Sequence, residues 1–232
     1  MGGPGPWFQR LIILGVFHLV GLLLCRFLRL RVHGVENIPK GGGVLFLSNH
    51  ISAVDVVAIP WCIYQKFPEE RLWKLAKEEL FHVPFIGWVL QKLRALPVKR
   101  GSADLSTIRL LEKHVREDKV ILYPEGSRSK DGRIGPGNRM VGRIILNTKP
   151  KVVPVAVKGT NRAVPVGRFF PRPGVKIEVT FGIPLELGAE YTIENRKESS
   201  VRIVEKVMRA ISSLLDEENQ AKPARSTEVI GS

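Results

Sequence analysis

Residues 44–55, VLFLSNHISAVD, decide the fold, because an unbroken apolar run gives way abruptly to polar residues that open a helical pattern. A strand that is apolar at successive positions is buried on both faces of its sheet, as in parallel sheets covered by helices. Other short apolar runs alternate with helical patterns along the chain, separated by Gly and Pro. The sequence therefore predicts an α/β fold with a mixed, largely parallel central sheet flanked by helices.

The same patterns place six strands and five helices. The strands are predicted at residues 44–48, 72–76, 95–98, 120–123, 152–157 and 175–181, and the helices at 52–64, 84–93, 104–117, 138–148 and 193–215. Pro154 lies within the fifth strand, and because proline cannot donate to a central ladder it indicates an edge, an end or a bulge. A wall for a hydrocarbon chain and an ordinary core strand fit that segment equally well. One domain is expected over residues 34–216, followed by a disordered tail over 217–232.

The chain of 232 residues carries 36 Lys and Arg against 22 Asp and Glu, a formal net charge of +14. This excess attracts anionic partners, and nucleic acid, anionic lipid headgroups and phosphorylated small molecules all fit it. The sequence has no zinc-finger spacing, no aromatic RNA-binding signature and no basic region followed by heptads, which disfavours a nucleic-acid partner. The two cysteines, Cys25 and Cys62, form no C-x-x-C pair and predict a reducing compartment without disulfides.

An uncharged run, LIILGVFHLVGLLLC, occupies residues 11–25. As a helix it would reach about 22 Å, which falls short of a bilayer core of about 30 Å. Its length also suits a secretory signal, but no small-x-small cleavage site follows. Residues 26–31 alternate charged and apolar side chains, a pattern that suits anionic headgroups. Residues 1–33 are therefore predicted to form a membrane-associated helical segment with a basic apron, at the cytoplasmic face of the inner (plasma) membrane.

His50 and Asp55 directly follow the first apolar strand, at the edge where active sites of α/β sheets collect. A strand-to-helix turn would let Asp55 reach one ring nitrogen of His50, which leaves the other nitrogen to act as a general base. The alternative is structural, since Ser52-x-x-Asp55 also fits a relaxed capping box at a helix start. Taken alone the pair favours the structural role, and the two roles are compatible.

Residues 123–129, YPEGSRS, follow another buried strand. Pro124 and Gly126 predict a tight turn with exposed backbone N–H groups, and Arg128 supplies a planar fork suited to phosphate oxygens. This indicates an anion pocket, although a surface turn with an incidental Arg fits the same residues. Residues 97–101, PVKRG, place two cations at a further strand end, where such pairs are more often solvated surface.

Taken in order along the chain, these segments resemble the signature blocks of the glycerolipid acyltransferase family, and particularly the bacterial lysophosphatidic acid acyltransferases. The likeness spans residues 31–182, and its order and spacing are more specific than any single motif. The matching positions are His50 and Asp55 in the H-x4-D block, Arg100 in the second block, Glu125, Gly126 and Arg128 in the E-G-[ST]-R block, and Pro154 in the fourth.

The resemblance implies a base-catalysed acyl transfer without a covalent acyl-enzyme. His50 would deprotonate the acceptor hydroxyl, Asp55 would hold and support the imidazole, and the alkoxide would attack a thioester carbonyl. No metal and no cofactor are expected, apart from acyl-CoA or acyl-carrier protein as the co-substrate, and the histidines show no metal-ligand spacing.

Substrate binding is implied for the remaining matched positions. Arg100 and Arg128 would clamp the phosphate of the acceptor, and Glu125 would face the glycerol hydroxyls or hold the loop. Further substrate-binding positions are Gly126, Ser127 and, more weakly, Lys77 in an Ala-Lys-Glu-Glu-Leu stretch.

The expected reaction moves a fatty acyl group to the free sn-2 hydroxyl of lysophosphatidic acid, which gives phosphatidic acid in phospholipid biosynthesis. The expected partners are a lysophospholipid acceptor, an acyl thioester donor and an anionic membrane surface. Two alternatives stand beside it. One is the same chemistry on glycerol 3-phosphate or another lysolipid, and the other is a catalytically idle phospholipid-binding protein.

Overall fold

The computed structural model describes residues 15, 17–19, 21–23, 25–99, 105–129, 132–165 and 171–220. After the helical residues between 15 and 28, this part of the chain contains seven strands and five helices, and each of these helices has nine residues or more. The strands are β1 (Leu30–His33), β2 (Val44–Ser48), β3 (Leu72–Lys77), β4 (Ala95–Val98), β5 (Lys119–Leu122), β6 (Lys151–Lys158) and β7 (Ile177–Phe181). The helices are α1 (Asp55–Lys66), α2 (Pro84–Lys92), α3 (Leu105–Glu117), α4 (Arg139–Thr148) and α5 (Arg196–Gln220). Single helical turns lie at Val35–Asn37, Glu78–His82, Thr160–Ala163 and Gly188–Tyr191.

The strands form one sheet in the order β1-β7-β6-β2-β5-β3-β4. Neighbouring strands are parallel except β6 and β7, which are antiparallel. β2 lies in the middle of the sheet, where Phe46 stands opposite Ile121 of β5 and Val153 of β6. The α/β fold with a mixed, largely parallel sheet flanked by helices is therefore confirmed.

Alternate residues of β2 feed two separate hydrophobic cores. Val44 and Phe46 pack on the face that α1 covers, whereas Leu45 and Leu47 pack with residues of α3, α4 and α5 on the other face. All four side chains have 0% exposure. Burial on both faces explains why the run is continuously apolar, and it brings the loops that follow β2 and β5 out side by side between the helical layers.

The six predicted strands are all present, and β2 and β4 have the predicted bounds. The sequence pattern does not predict β1, whose residues fall partly within the stretch interpreted as a basic apron. This strand pairs with β7 at the edge of the sheet, so the sheet begins at Leu30, before the predicted domain start at residue 34. A short edge strand is open to solvent along its outer edge. Its sequence can therefore alternate charged and apolar residues, which is also the pattern of a segment at a membrane interface. The last helix continues to Gln220, beyond the predicted end at 215, and residues 221–232 of the predicted tail lie outside the described residues.

The described residues between 15 and 28 are helical and lie against α1. Phe17 packs edge-on against Tyr64 with ring centroids 5.8 Å apart, and a Cβ added at Gly21 would meet the Trp61 ring at 1.9 Å. The opposite side of this segment points away from the domain and carries four apolar side chains that are about half exposed: Leu19 56%, Leu22 52%, Leu23 46% and Phe27 52%. Among the described residues, no helix combines the length and apolarity needed to cross a bilayer.

Lys74 is a buried cation on the face of the sheet beneath this helical segment. Its Nζ has no hydrogen-bond partner among the described residues, and it lies 5.9 Å from the centroid of the Phe17 ring. Burial lowers the pKa of its ammonium group from the usual 10.5 to about 8. The amine of the folded protein is therefore neutral above about pH 8, whereas that of the unfolded protein stays charged up to pH 10.5.

Replacing Lys74 by methionine is expected to raise the free energy of unfolding at pH 7, by about 2 to 3 kcal/mol. Below pH 8 both states of the wild type carry the proton, and the folded state bears the full cost of burying it. Between pH 8 and 10.5 the unfolded state binds more protons, so the wild type gains stability as the pH rises and its difference from Lys74→Met shrinks. Denaturant unfolding of both proteins at pH 7 and pH 10 measures the effect.

Lys119 provides the matched control, because it is also buried but its Nζ donates to three oxygens. These are the carbonyls of Pro39 at 2.8 Å and Gly41 at 2.6 Å and the carboxylate of Glu70 at 2.6 Å. Lys119→Met should therefore destabilise the fold, by about 2 to 4 kcal/mol. Equal destabilisation by both substitutions would contradict the inference that the Lys74 charge is uncompensated.

Candidate active site

His50 and Asp55 meet at the carboxyl end of β2. The Nδ1 atom of the His50 imidazole lies 2.9 Å from Oδ2 of Asp55. A carboxylate oxygen only accepts, so Nδ1 carries the proton and donates it to Asp55. The other ring nitrogen, Nε2, is then left with its lone pair, and the side chain is 15% exposed. This arrangement suits a base that takes a proton from a bound hydroxyl.

Asp55 is completely buried and accepts three further hydrogen bonds. Its Oδ2 receives the backbone N–H groups of Ile51 and Ser52, each at 2.8 Å, and its Oδ1 receives the hydroxyl of Thr160 at 2.6 Å. The capping box considered for Ser52-x-x-Asp55 is only half formed, because Asp55 accepts the N–H of Ser52 whereas the Ser52 hydroxyl accepts the N–H of Val54 and not that of Asp55. The carboxylate of Asp55, the first residue of α1, therefore holds the loop before the helix and orients the imidazole.

Tyr123 stacks on the imidazole of His50. The two ring centroids are 4.0 Å apart and the ring planes differ by 20°. Burial, followed by the negative charge of Asp55, raises the pKa of the Tyr123 phenol well above its usual value. The phenol therefore stays neutral and supplies an aromatic plane that restricts rotation of the imidazole away from Asp55.

The loop that carries His50 is tied down on both sides of the residue. The side chain of Asn49 donates to the carbonyl of Val157 at 2.9 Å and accepts the N–H of the same residue at 2.8 Å, which fixes the loop to β6. The N–H of Ser129 donates to the carbonyl of His50 at 2.7 Å. The imidazole is thus held by a backbone that is itself bound to two other segments.

Glu125 connects the His50 loop to the segment before α4. Its Oε1 accepts the N–H of His50 at 3.1 Å, and its Oε2 accepts the N–H of Gly135 at 3.2 Å. Of the two roles that the sequence left open for Glu125, these contacts correspond to holding the loop. Both carboxylate oxygens of Glu125 thus accept a hydrogen bond from a backbone N–H group.

In the turn at residues 123–129, residues 125 and 127–129 line an open cavity of about 550 Å³ together with residues 133–136, and one of them, Glu125, contacts the backbone of His50. Gly126 adopts a φ of 74°, which a residue with a side chain rarely takes, and its N–H donates to the carbonyl of Tyr123 at 3.0 Å. Arg128 is exposed and lines the cavity together with Ser127 and Arg133. Two guanidinium groups beside one cavity suit an anionic group with several oxygen atoms.

The other predicted binding residues are more distant or are not described. Lys77 is exposed at the end of β3, which β5 separates from β2, so it shares the carboxyl edge of the sheet with His50. Arg100 lies outside the described residues. Pro154 lies inside β6. It has no N–H to donate, but its carbonyl oxygen accepts the N–H of Gly182 at 2.8 Å.

The cysteine thiols are remote from this chemistry. Burial raises the pKa of Cys25 to about 12 and raises that of Cys62 still further, so both thiols stay protonated. Within the part of the chain that the structure describes, no group of three or more His, Cys, Asp or Glu residues is placed to hold a metal ion.

The sequence did not indicate Thr160, Tyr123 or Arg133 as parts of the site. Thr160 is 105 positions from Asp55, and a lone Thr at a helix start carries no signal of a distant partner. Tyr123 belongs to a motif that the sequence singled out, but its stacking depends on how β5 lies beside β2. Arg133 follows the predicted turn closely, and only the folded loop turns its side chain toward the same cavity.

Comparison with known proteins gives a consistent result. The model of the Acyltransferase family matches residues 29–158. A chloroplastic 1-acyl-sn-glycerol-3-phosphate acyltransferase of Brassica napus is 31% identical over 61% of this chain and 40% of its own length. One of Bacillus subtilis is 27% identical over 79% of this chain and 87% of its own. The chain thus spans about two fifths of the length of the Brassica napus relative and most of that of the Bacillus subtilis relative.

A solved structure has the same fold. The crystal structure of the 1-acyl-sn-glycerophosphate acyltransferase of Thermotoga maritima superposes with a TM-score of 0.66 and 22% identity, covering 91% of this chain and 84% of that one. This likeness supports the architecture of the sheet and its helices.

Proposed function

We propose, from the premise that this chain belongs to the acyltransferase family, that it transfers a fatty acyl group from a thioester to the sn-2 hydroxyl of lysophosphatidic acid. The named relatives are 1-acyl-sn-glycerol-3-phosphate acyltransferases, and this supports the acceptor. The product would be phosphatidic acid, the precursor of other phospholipids. The observation that carries the proposal is the His50–Asp55 pair, which a protein that only binds phospholipid does not need.

The proposed reaction uses His50 as the base. Nε2 takes the proton of the sn-2 hydroxyl while that oxygen attacks the thioester carbonyl. The resulting imidazolium is stabilised by Asp55, whose own charge is supported by Thr160 and two backbone N–H groups. Collapse of the tetrahedral intermediate breaks the C–S bond, and the leaving thiolate recovers the proton from Nε2. Atoms and charge balance without an acyl-enzyme.

Acceptor-dependent release of free thiol from acyl-CoA tests the reaction. Detergent-solubilised protein should release thiol only when lysophosphatidic acid is present. The same chemistry on glycerol 3-phosphate would appear as release with that acceptor instead. No release with any acceptor or with acyl-carrier protein as donor would favour the idle phospholipid-binding alternative.

We propose that the acceptor phosphate lies in the cavity lined by residues 125, 127–129 and 133–136, between Arg128 and Arg133. Arg100 and Lys77 are the further cations that the family resemblance assigns to this task, and Gly126 and Ser127 would contribute the turn. A phosphomonoester held there carries up to two negative charges, which the guanidinium forks match. Its position near the end of β2 would direct the glycerol hydroxyls toward His50.

Arg128→Ala is expected to raise the KM for lysophosphatidic acid about 10- to 100-fold, which corresponds to the loss of one charged hydrogen-bonding partner. The kcat should change much less, because Arg128 does not touch the His50–Asp55 pair. Initial rates over a range of acceptor concentrations give both quantities.

Two controls sharpen this test. Arg109→Ala removes an exposed arginine of α3 and should leave the acceptor KM unchanged. A lysolipid without a phosphomonoester should be a poor acceptor for the wild type and should lose little further from Arg128→Ala. Equal loss with both acceptors would show that Arg128 does not bind the phosphate.

Membrane association belongs to the same proposal. The exposed stripe of Leu19, Leu22, Leu23 and Phe27 lies on a helical segment whose opposite side packs on α1. Such a segment suits a position in the plane of one leaflet, with its exposed stripe among the lipids. The net charge of +14 favours an anionic surface such as the cytoplasmic leaflet. Sedimentation with anionic but not with neutral vesicles is the expected result.

A further inference from the structure

One oxygen of the Asp55 carboxylate depends on a single hydroxyl. Oδ2 accepts three hydrogen bonds, from Nδ1 of His50 and from two backbone N–H groups, whereas Oδ1 has one partner among the described residues, Oγ1 of Thr160 at 2.6 Å. Asp55 and Thr160 both have 0% exposure, so the contact lies away from solvent. Without this hydroxyl, Oδ1 would be a buried anionic oxygen that no donor satisfies, which is costly.

Thr160 reaches the carboxylate because the chain turns sharply where β6 ends. β6 pairs with β2 and therefore ends beside the His50 loop. Gly159 follows with a φ of 77°, and the single helical turn Thr160–Ala163 begins directly after it. The carbonyl of Val164, at the end of this turn, accepts the hydroxyl of Ser52 at 3.1 Å. The turn is thus bound at both of its ends to the segment that carries the His50–Asp55 pair.

Every group that donates to the Asp55 carboxylate is neutral. The donors are two backbone N–H groups, a hydroxyl and the imidazole in its Nδ1–H form. The second His–Asp pair of the chain differs, because Oδ1 of Asp118 pairs with the guanidinium of Arg71 at 3.0 Å. A guanidinium compensates the charge of a carboxylate, whereas a hydroxyl holds the carboxylate without adding an opposite charge. The charge of Asp55 therefore remains available to the imidazolium that forms when His50 takes a proton.

We propose that Thr160 is a positioning residue of the reaction, whose neutral hydroxyl keeps the Asp55 carboxylate both oriented toward His50 and fully charged. The inference rests on the proposed function, in which His50 is the base. Thr160 is not among the described residues that line the cavity assigned to the acceptor phosphate, so it acts on the reaction through Asp55. Its effect should accordingly appear in kcat and not in KM.

Thr160→Val removes the hydroxyl and keeps the branched shape of the side chain. The kcat for acceptor-dependent thiol release should fall about 10- to 100-fold, which corresponds to the loss of one hydrogen bond to a charged group, and KM for both substrates should stay within about 2-fold. Thr160→Ser keeps the hydroxyl and should retain kcat to within about 3-fold. Should the valine variant not fold, Thr160→Ala and Thr160→Ser give the same comparison. A wild-type kcat without the hydroxyl, or equal losses with and without it, would overturn the proposal.

A double-mutant cycle separates an effect that passes through Asp55 from a general loss of structure. In an Asp55→Asn background the charge that the hydroxyl supports is already gone, so adding Thr160→Val should lower kcat by less than about 3-fold further. A further loss as large as that in the wild-type background would contradict the proposed route.

Ser199→Ala is the matched control for burial. Ser199 also has 0% exposure, and its hydroxyl donates to the neutral carbonyl of Glu190 at 2.7 Å. The substitution should lower the denaturant midpoint, as Thr160→Val does, and leave kcat unchanged. If Ser199→Ala lost as much kcat as Thr160→Val, the loss would reflect stability alone and the proposal would fail.

The proton between His50 and Asp55 gives a readout that needs no turnover. In protein whose five histidines carry ¹⁵N, the Nδ1–H resonance of His50 is identified by its absence from His50→Ala. This resonance should move upfield or broaden in Thr160→Val and should return in Thr160→Ser, because a less firmly held carboxylate makes a weaker hydrogen bond. An unchanged resonance in the valine variant would count against the proposal. A hydroxyl-dependent resonance in protein that acylates no acceptor would uphold the role of Thr160 at the pair while rejecting the proposed reaction.

Discussion

His50→Ala is expected to lower kcat for acceptor-dependent thiol release by about 10³-fold, within the range that a positioned general base contributes. The substitution removes the only atom, Nε2, that we assign to the acceptor proton. It keeps the backbone bonds of residue 50 to Glu125 and Ser129, because these use the main-chain N–H and carbonyl. The thermal midpoint should therefore change little, and thiol release with and without lysophosphatidic acid gives the rate.

The chain contains a matched control for this experiment. His114 also pairs with an aspartate, with Nδ1 3.1 Å from Oδ2 of Asp118, and it also stacks on an aromatic ring, that of Trp73, at 3.6 Å. This second pair lies at the start of β5, at the opposite edge of the sheet from His50. His114→Ala should lower stability and leave kcat nearly unchanged. If His50→Ala kept a tenth or more of the activity, the assignment of the base would be wrong.

Asp55→Asn is expected to reduce kcat about 10²-fold or more, because it removes the charge that stabilises the imidazolium. The amide oxygen can still accept from Ile51, Ser52 and the Nδ1–H of His50. The amide NH2 then faces the Thr160 hydroxyl, which can rotate and accept a hydrogen bond. The geometry should therefore persist, and denaturant unfolding should show a loss of stability no greater than about 1 kcal/mol.

Asp55→Ala separates the structural role of the carboxylate from its charge. It leaves two backbone N–H groups, the Thr160 hydroxyl and the His50 imidazole without their common partner inside the protein. The expected loss is about 3 kcal/mol of stability in addition to the loss of activity. Equal stability of the two variants would show that the buried acceptor does not support the loop, and wild-type kcat in Asp55→Asn would show that its charge is not used.

The central part of the fold could be predicted from the sequence because its signals are local. A continuous apolar run identifies β2, and the polar residues after it identify the turn into α1. The spacing of His50 and Asp55 is also local, since five positions across a strand-to-helix turn bring the side chains together. β1 could not be predicted in the same way, because four residues that alternate apolar and charged side chains fit an edge strand and a membrane apron equally well.

The surroundings of the pair could not be predicted, because they come from distant parts of the chain. Thr160 supports Asp55 only through the pairing of β6 with β2. The burial of Lys74 depends on the N-terminal helical segment, since Phe17 covers its ammonium group. In a strand whose other residues up to Ala76 are all apolar, a lysine is ordinarily assigned to an exposed position. The tertiary contact reverses that assignment.

The central position of β2 has a consequence for how the chain acquires activity during synthesis. Both neighbours of β2 follow it in the sequence, and the bonds that hold the His50 loop join residues 75, 105 and 108 positions apart. Contacts of such long range slow folding, because a large loop must close before they form. The emerging polypeptide therefore carries an unpaired apolar strand until β5 and β6 leave the ribosome, a state that invites aggregation or chaperone binding. Although His50 and Asp55 are translated early, their mutual orientation is completed only after β6 has joined the sheet and has brought Thr160 to Asp55.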